Sequence, residues 1–490
     1  MKMWKKMALT GATLTAVLAL AACGNGSSTK KTGESETKKD EKTSILMYQI
    51  GTAPKNMDKL MENANKIIGE KLNAKLEIKY IDWGDYKEKM SIITSSGENY
   101  DIAFADNYVV NAQKGAYADL TELYKKEGKE LYESLDPAYI KGNTINGKIY
   151  AVPVNANVAS QQVLSFNKNL VDKYNLDISK VNSYADLEPL LAVIKEKEPG
   201  IVPFPAGQTS ANFFHPLGNE MPFGVDHDGD TTKIVNPYEV ESYKEKLRVI
   251  RGFYQKGYIP ADIATSKATY PLEKETWFVR EETQGPADFG DSLLTTVAGY
   301  PIVSRPVTAA YKTSGSTQVA NFVISKTSKN KEKAMEVLNL LNTNKELLNG
   351  LVYGPEGENW EKDSAGENRI KLLPGYKSDT RMSAWNLGNN YILYTTDKVK
   401  DADIEQSKKV LKEAKESPAL GFTVNTDSIK SEISSVQNVM KQYIKNIGTG
   451  TVDPDQAIEE MLTKLKSEGS YEKVLKEIQR QYDEFLKNKN

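Results

Sequence analysis

Ser44-Ile45-Leu46-Met47-Tyr48 is the first of three short apolar runs that decide the fold. Leu76, Ile78 and Tyr80 alternate in the second, and Asp101-Ile102-Ala103-Phe104 is the third. Between the first two, Met57, Leu60, Met61, Ala64, Ile67, Ile68 and Leu72 recur at helical spacing. A second helix, from Asp85 to Ser95, fills the next gap. Strand, helix, strand, helix, strand means an α/β domain with a mostly parallel sheet, because parallel neighbours need a crossover. Ligands of such sheets sit beyond the carboxyl ends of the strands. Trp83, after the second run, and Asp106, Asn107 and Tyr108, after the third, therefore belong on the rim of one pocket.

Before this domain lies a different kind of sequence. Lys2, Lys5 and Lys6 precede an apolar run from Met7 to Leu20, and Ala21, Ala22, Cys23 and Gly24 follow. A basic start, a short apolar stretch and small residues mark a secretory signal. The run is too short and too rich in Ala and Thr to span a membrane comfortably. Small residues just before a Cys resemble the lipobox of bacterial lipoproteins. That resemblance implies a diacylglycerol on the Cys23 thiol, removal of residues 1–22, and anchoring on the outer face of the cell membrane. An ordinary signal peptide that contains a Cys is the alternative. Residues 23–43 carry no apolar side chain after Cys23 and read as a disordered tether.

The 490 residues are too many for one core, so two or three domains are expected. A net charge of −2 with no basic block makes a poor nucleic-acid binder. Cys23 is the only cysteine, so no disulfide can form within the chain. With only His215 and His227, little room is left for histidine catalysis or zinc. The 26 tyrosines are more telling, since Tyr suits wet binding surfaces.

The middle of the chain is the most specific part. Ala118-Asp119-Leu120-Thr121 precedes a helix, Asn146 to Pro153 is a hairpin turn feeding a strand, and Ser165-Phe166-Asn167-Lys168 leads into another helix. In this order the pieces resemble the extracellular solute-binding proteins (family 1) of ABC sugar importers. Asn146 replaces the family's usual Asp, and Phe166 its usual Tyr. Ser183 to Leu187, Ala320 to Lys326 and Gly350 to Trp360 extend the likeness. Pro418 to Phe422, a helix at 428–446 and two more helices resemble the C-terminal domain of unknown function in one lipoprotein branch. Ile429, Ile433, Val436, Met440 and Tyr443 give the first tail helix a core face. The branch suggested is that of streptococcal lipoproteins that capture complex N-linked glycans. The resemblance implies a two-lobe, type II periplasmic-binding-protein fold. Lobe one would comprise 44–155 and 305–353, lobe two 156–304 and 354–420, and a helical region 421–490. Strands near 153–160 and 304–312 would cross between the lobes.

Sugars present flat C–H faces and a ring of hydroxyls, so their sites need aromatic platforms and paired polar groups. Trp83 lies among acids in Asp82-Trp83-Gly84-Asp85-Tyr86, as a platform or as a staple at a helix start. Trp385 lies in Arg381-Met382-Ser383-Ala384-Trp385-Asn386, where relatives place a lobe-two aromatic. It would then face Trp83 across the cleft. Trp277 and Trp360 are further platform candidates, and Arg381 and Asn386 polar ones. Asn155 and Asn157 either face the cleft or bond within the hinge. Asp226-His227-Asp228-Gly229-Asp230 starts like a calcium loop, but Thr231 and Pro237 stand where an EF-hand needs Gly and Glu. A hairpin turn is the plainer reading, so no metal and no cofactor are expected.

No G-x-S-x-G, H-E-x-x-H or Walker A motif occurs. The expected protein is therefore not an enzyme. It is a lipid-anchored, monomeric receptor that delivers an oligosaccharide to an ABC permease. A surface glycoside hydrolase and a glycan-binding adhesin are the alternatives.

Overall fold

A computed structural model describes residues 42–205, 213–266, 268, 270–467 and 469–489. The signal segment, Cys23 and the tether up to residue 41 lie outside the described residues.

The strand Thr43–Ile50 pairs in parallel with Ala74–Ile81 on one side and Ile102–Phe104 on the other. Asn321–Ile324 adds antiparallel to the third strand, and Val152–Pro153 closes the five-stranded sheet. The helix Met57–Leu72 buries Leu60, Ala64 and Ile68, four residues apart, and so presents one face to the core. It ends where Asn73 turns left-handed at φ 48° and its N–H bonds the Gly69 carbonyl. Asn146 (φ 51°) and Gly147 (φ 78°) form the turn between Thr144–Ile145 and Lys148–Ile149. Two positive φ values in a two-residue loop are what a tight hairpin requires, and Asn-Gly supplies them at least strain.

In the second lobe the central strand is Ala159–Asn167. Val279–Gln284 pairs antiparallel with one edge, and Ile302–Pro306 and Tyr311–Lys312 with the other. Leu164, Phe166, Leu191, Ile194, Phe253 and Phe278 are buried in its core.

The packing departs from the expected domain division in two places. The expectation puts residues 354–420 in lobe two, yet Trp360, Ile370, Met382 and Leu387 belong to the first-lobe core. The reason is local. The 360–394 segment follows directly on the first-lobe helix Lys345–Tyr353, and Met382 N–H bonds the Leu351 carbonyl at 3.0 Å. Lys55 N–H likewise bonds the Asp379 carbonyl at 2.8 Å. There is also a third passage between lobes. The helix Asp401–Glu413 leads to Lys415–Glu416, which pairs in parallel with Tyr311–Lys312. Around these passages, Lys312 meets Asp136 at 2.6 Å and Ser316 Oγ donates to the Val158 carbonyl at 2.8 Å.

The C-terminal helices Lys430–Gly448, Pro454–Ser467 and Ser470–Lys489 share one core with Phe214, Phe223, Val225 and Leu247 of the second lobe. Val436 and Met440 are buried on the face expected for the first of them. Among the described residues no helix is long and apolar enough to cross a membrane.

Candidate ligand-binding cleft

A cleft of about 720 Å³ lies between the lobes. Its volume is in the range of small-molecule sites. Tyr139, Val319, Arg381, Trp385 and Tyr391 line it from the first-lobe side. The turn Gly285 to Phe289 and the helix Ser292–Ala298 line it from the second.

Trp83 and Trp385 come together, though not as expected. Their rings stack on each other at 5.5 Å with an interplanar angle of 24°, and the edge of Phe104 meets Trp385 at 5.8 Å. Both belong to the first lobe, so they form one aromatic surface and not two opposed jaws. Trp385 sits there because its turn is tied to the first strand. Gln49 Nε2 donates to the Asn386 carbonyl at 3.0 Å, a buried bond. Asn386 is thus part of the anchor and is buried. Trp83 remains 57 % and Trp385 41 % exposed. Large aromatic area left in water beside a cleft is what a sugar face covers.

Trp277 and Trp360 are not platforms. Trp277 is fully buried and its indole N–H reaches the Pro271 carbonyl at 3.2 Å. Trp360 is buried with its N–H on the Gly354 carbonyl at 2.9 Å. Each has satisfied its one donor inside the protein. The second-lobe aromatic that lines the cleft is Phe289. Its φ of 50° is rare for a bulky residue, and such strain clusters at functional sites.

The polar candidates divide. Asn155 is buried in the hinge, where Nδ2 donates to the Ser134 carbonyl at 3.1 Å and its main chain bonds Gly388 and Asn390. Asn157 lines the cleft but also clamps the second-lobe turn. Its Nδ2 donates to Asp288 Oδ1 at 3.0 Å and its Oδ1 accepts from Ala287 N–H at 2.8 Å. Burial raises the Asp288 carboxyl above the usual carboxylate range, against the Gly285 N–H and Asn157 bonds that lower it. Arg381 lies over the Tyr376 ring at 4.8 Å, and its buried Nε has no acceptor among the described residues. A buried donor left open in a cleft suits a ligand or a water.

Asp106, Asn107 and Tyr108 do not line the cleft. Tyr108 is buried with its hydroxyl on the Asn143 carbonyl at 2.6 Å. Asn107, left-handed at φ 42°, turns its amide onto the Asp106 carboxylate at 3.1 Å. Burial raises the Asp106 carboxyl. The three serve the loop after the third strand.

Sequence reasoning missed Tyr391, whose hydroxyl donates to the Ala156 carbonyl at 2.6 Å across the hinge. Asn389-Asn390-Tyr391 carries the same mix of polar and aromatic residues that singles out Trp385. In the 226–230 run, Asp226 Oδ1 accepts from Asp228 N–H and Asp230 Oδ1 from Thr232 N–H, as turn carboxylates do. His227 stacks on Tyr311 at 4.2 Å.

Residues 52–347 match the family described as bacterial extracellular solute-binding protein, and 418–487 match a domain of unknown function, DUF3502. The chain is a bacterial extracellular solute-binding protein. It is 63 % identical, over the full length of both chains, to a carbohydrate ABC transporter substrate-binding protein of Streptococcus pneumoniae. It also resembles the crystal structure of an N-glycan transport solute binding protein of the same species. There the identity is 65 %, the TM-score 0.90, and the match covers 92 % of this chain and all of that one. Against that protein in complex with Man5GlcNAc, the TM-score is 0.81 at 64 % identity, covering 92 % of this solute-binding protein and all of the other.

Proposed function

We propose that this protein captures an oligosaccharide of the N-linked glycan type outside the cell and delivers it intact to an ABC permease. The observation that carries the reading is the likeness, over 92 % of the chain, to a relative solved with Man5GlcNAc, joined to an exposed tryptophan pair beside an interlobe cleft. Three passages of chain between the lobes would act as the hinge. Closure would bring Phe289 and the helix Ser292–Ala298 toward a sugar lying by Trp83 and Trp385. The closed receptor would be what the permease accepts.

Calorimetric titration of the purified protein with Man5GlcNAc should give saturable binding at one site, and chromatography should return the sugar unchanged. New reducing ends appearing in proportion to protein would favour a hydrolase. Unchanged glycan uptake in a strain lacking the protein would favour an adhesin.

The anchor is part of the proposal. Only a thiol accepts the diacylglycerol, so Cys23→Ser should shift the protein from the detergent-released fraction to an unprocessed or secreted form. A variant that still needs detergent for release would rule out lipidation at Cys23.

A further inference from the structure

We propose that Leu293, Val297 and Val319 form an apolar subsite that selects a sugar bearing an N-acetyl group. The inference rests on the proposed oligosaccharide function and adds the chemical feature the cleft reads. Leu293 and Val297 are one helical turn apart on Ser292–Ala298 and so share a face. Both line the cleft from the second lobe, at 46 % and 44 % exposure. Val319 lines it from the first lobe at 66 % exposure. These are branched aliphatic side chains in a site where a plain sugar offers hydroxyls. They cannot bond a hydroxyl, and they lack the flat face that stacks on pyranose C–H groups. Three such residues on two walls of one cleft therefore call for a compact apolar group on the ligand.

An acetamido methyl is such a group, and the complexed relative carries GlcNAc. A polar neighbour fits the rest of the amide. Thr296 Oγ1 donates to the Ser292 carbonyl at 2.8 Å, which leaves its lone pairs able to accept an amide N–H. In the first lobe, Val319 follows the turn Ser314–Thr317, whose Ser316 is pinned to the Val158 carbonyl. That wall is thus fixed beside the hinge, while the 292–298 wall belongs to the other lobe. Closure would bring the two walls together on the methyl.

The test compares Man5GlcNAc with the same oligosaccharide ending in glucose, titrated by calorimetry into the purified protein. One apolar group matched to a pocket is worth about tenfold in discrimination or more. The natural protein should bind the acetamido form at least about tenfold tighter. Leu293→Asn with Val297→Thr should abolish that preference, bringing the two sugars to within about twofold of each other. Val319→Thr, which keeps the side-chain shape, should reduce it in part, and its unchanged melting would exclude misfolding. Equal binding of both sugars by the natural protein would overturn the subsite, and so would a preference that survives both variants. If neither sugar binds, the oligosaccharide function itself falls and the subsite with it.

Discussion

Ending the chain at Leu420 is expected to unfold the part of the second lobe that packs on the C-terminal helices, residues 213–247. The C-terminal helices complete one of its core clusters and are not an appendage. Phe223 stacks on Tyr471 at 5.4 Å, and Leu247 shares a cluster with Val436, Met440, Met461 and Ile478. Polar ties cross the same boundary. Arg248 holds both oxygens of Asp455, at 2.7 and 2.8 Å. Arg251 donates to the Gly450 carbonyl at 2.9 Å, and Tyr482 to the Thr231 carbonyl at 2.8 Å. Gly450 approaches Ile250 so closely that a Cβ would fall 2.7 Å from its carbonyl oxygen. Losing one large core side chain costs ~2–5 kcal/mol, and a domain has only ~5–15 kcal/mol in hand. Removing several at once exceeds that. Circular dichroism melting should show a truncated chain without the transition of that part of the second lobe, and limited proteolysis should cut it within 213–260. A truncated chain with a single sharp transition near that of the full protein would contradict the packing argument. Tyr471→Ala is the graded version, with an expected loss of ~3–5 kcal/mol of stability.

How much of this is legible in the sequence differs by residue. The first sheet is, because its short apolar runs, of which Ala74–Ile81 alternates, are separated by a helix with a period near four. Asn146-Gly147 announces its own turn. The C-terminal helix face is also readable, though not its partner, since nothing in 430–448 names Phe223 or Leu247. Trp360 and Trp385 mark the limit. Both sit among Gly, Asn, Glu or Ser, so their neighbours look alike in sequence. What separates them is the helix Lys345–Tyr353, which carries Trp360 into the core, and the Gln49 bond, which leaves Trp385 at the rim. Long-range contacts of that kind leave no local pattern. Leu293 and Val297 carry no such signal either: spaced four apart on one helix face, they look onto the cleft.

Trp385→Ala should weaken oligosaccharide binding by roughly ten- to hundredfold. Covering one aromatic face contributes on the order of 1–3 kcal/mol, and about 1.4 kcal/mol is tenfold in affinity. Trp83→Ala should act similarly, because the two rings form one surface. Since they touch, the effects will not add. Removing either ring also frees the other from its stack, so the double variant should lose less than the product of the single losses. Stability should fall by ~1 kcal/mol in Trp83→Ala, which leaves a 57 % exposed position and breaks one aromatic stack, and by more in Trp385→Ala, which is 41 % exposed and also loses the Phe104 contact. Trp277→Ala supplies the contrast. It empties a fully buried position and should cost ~3–5 kcal/mol of folding stability, with binding by the surviving folded fraction unchanged. Calorimetry and thermal melting of the four variants separate the cases. Near-normal affinity in both the Trp83 and Trp385 variants would mean that the sugar lies elsewhere in the cleft, against Phe289 and Tyr391, and that the exposed pair serves another purpose.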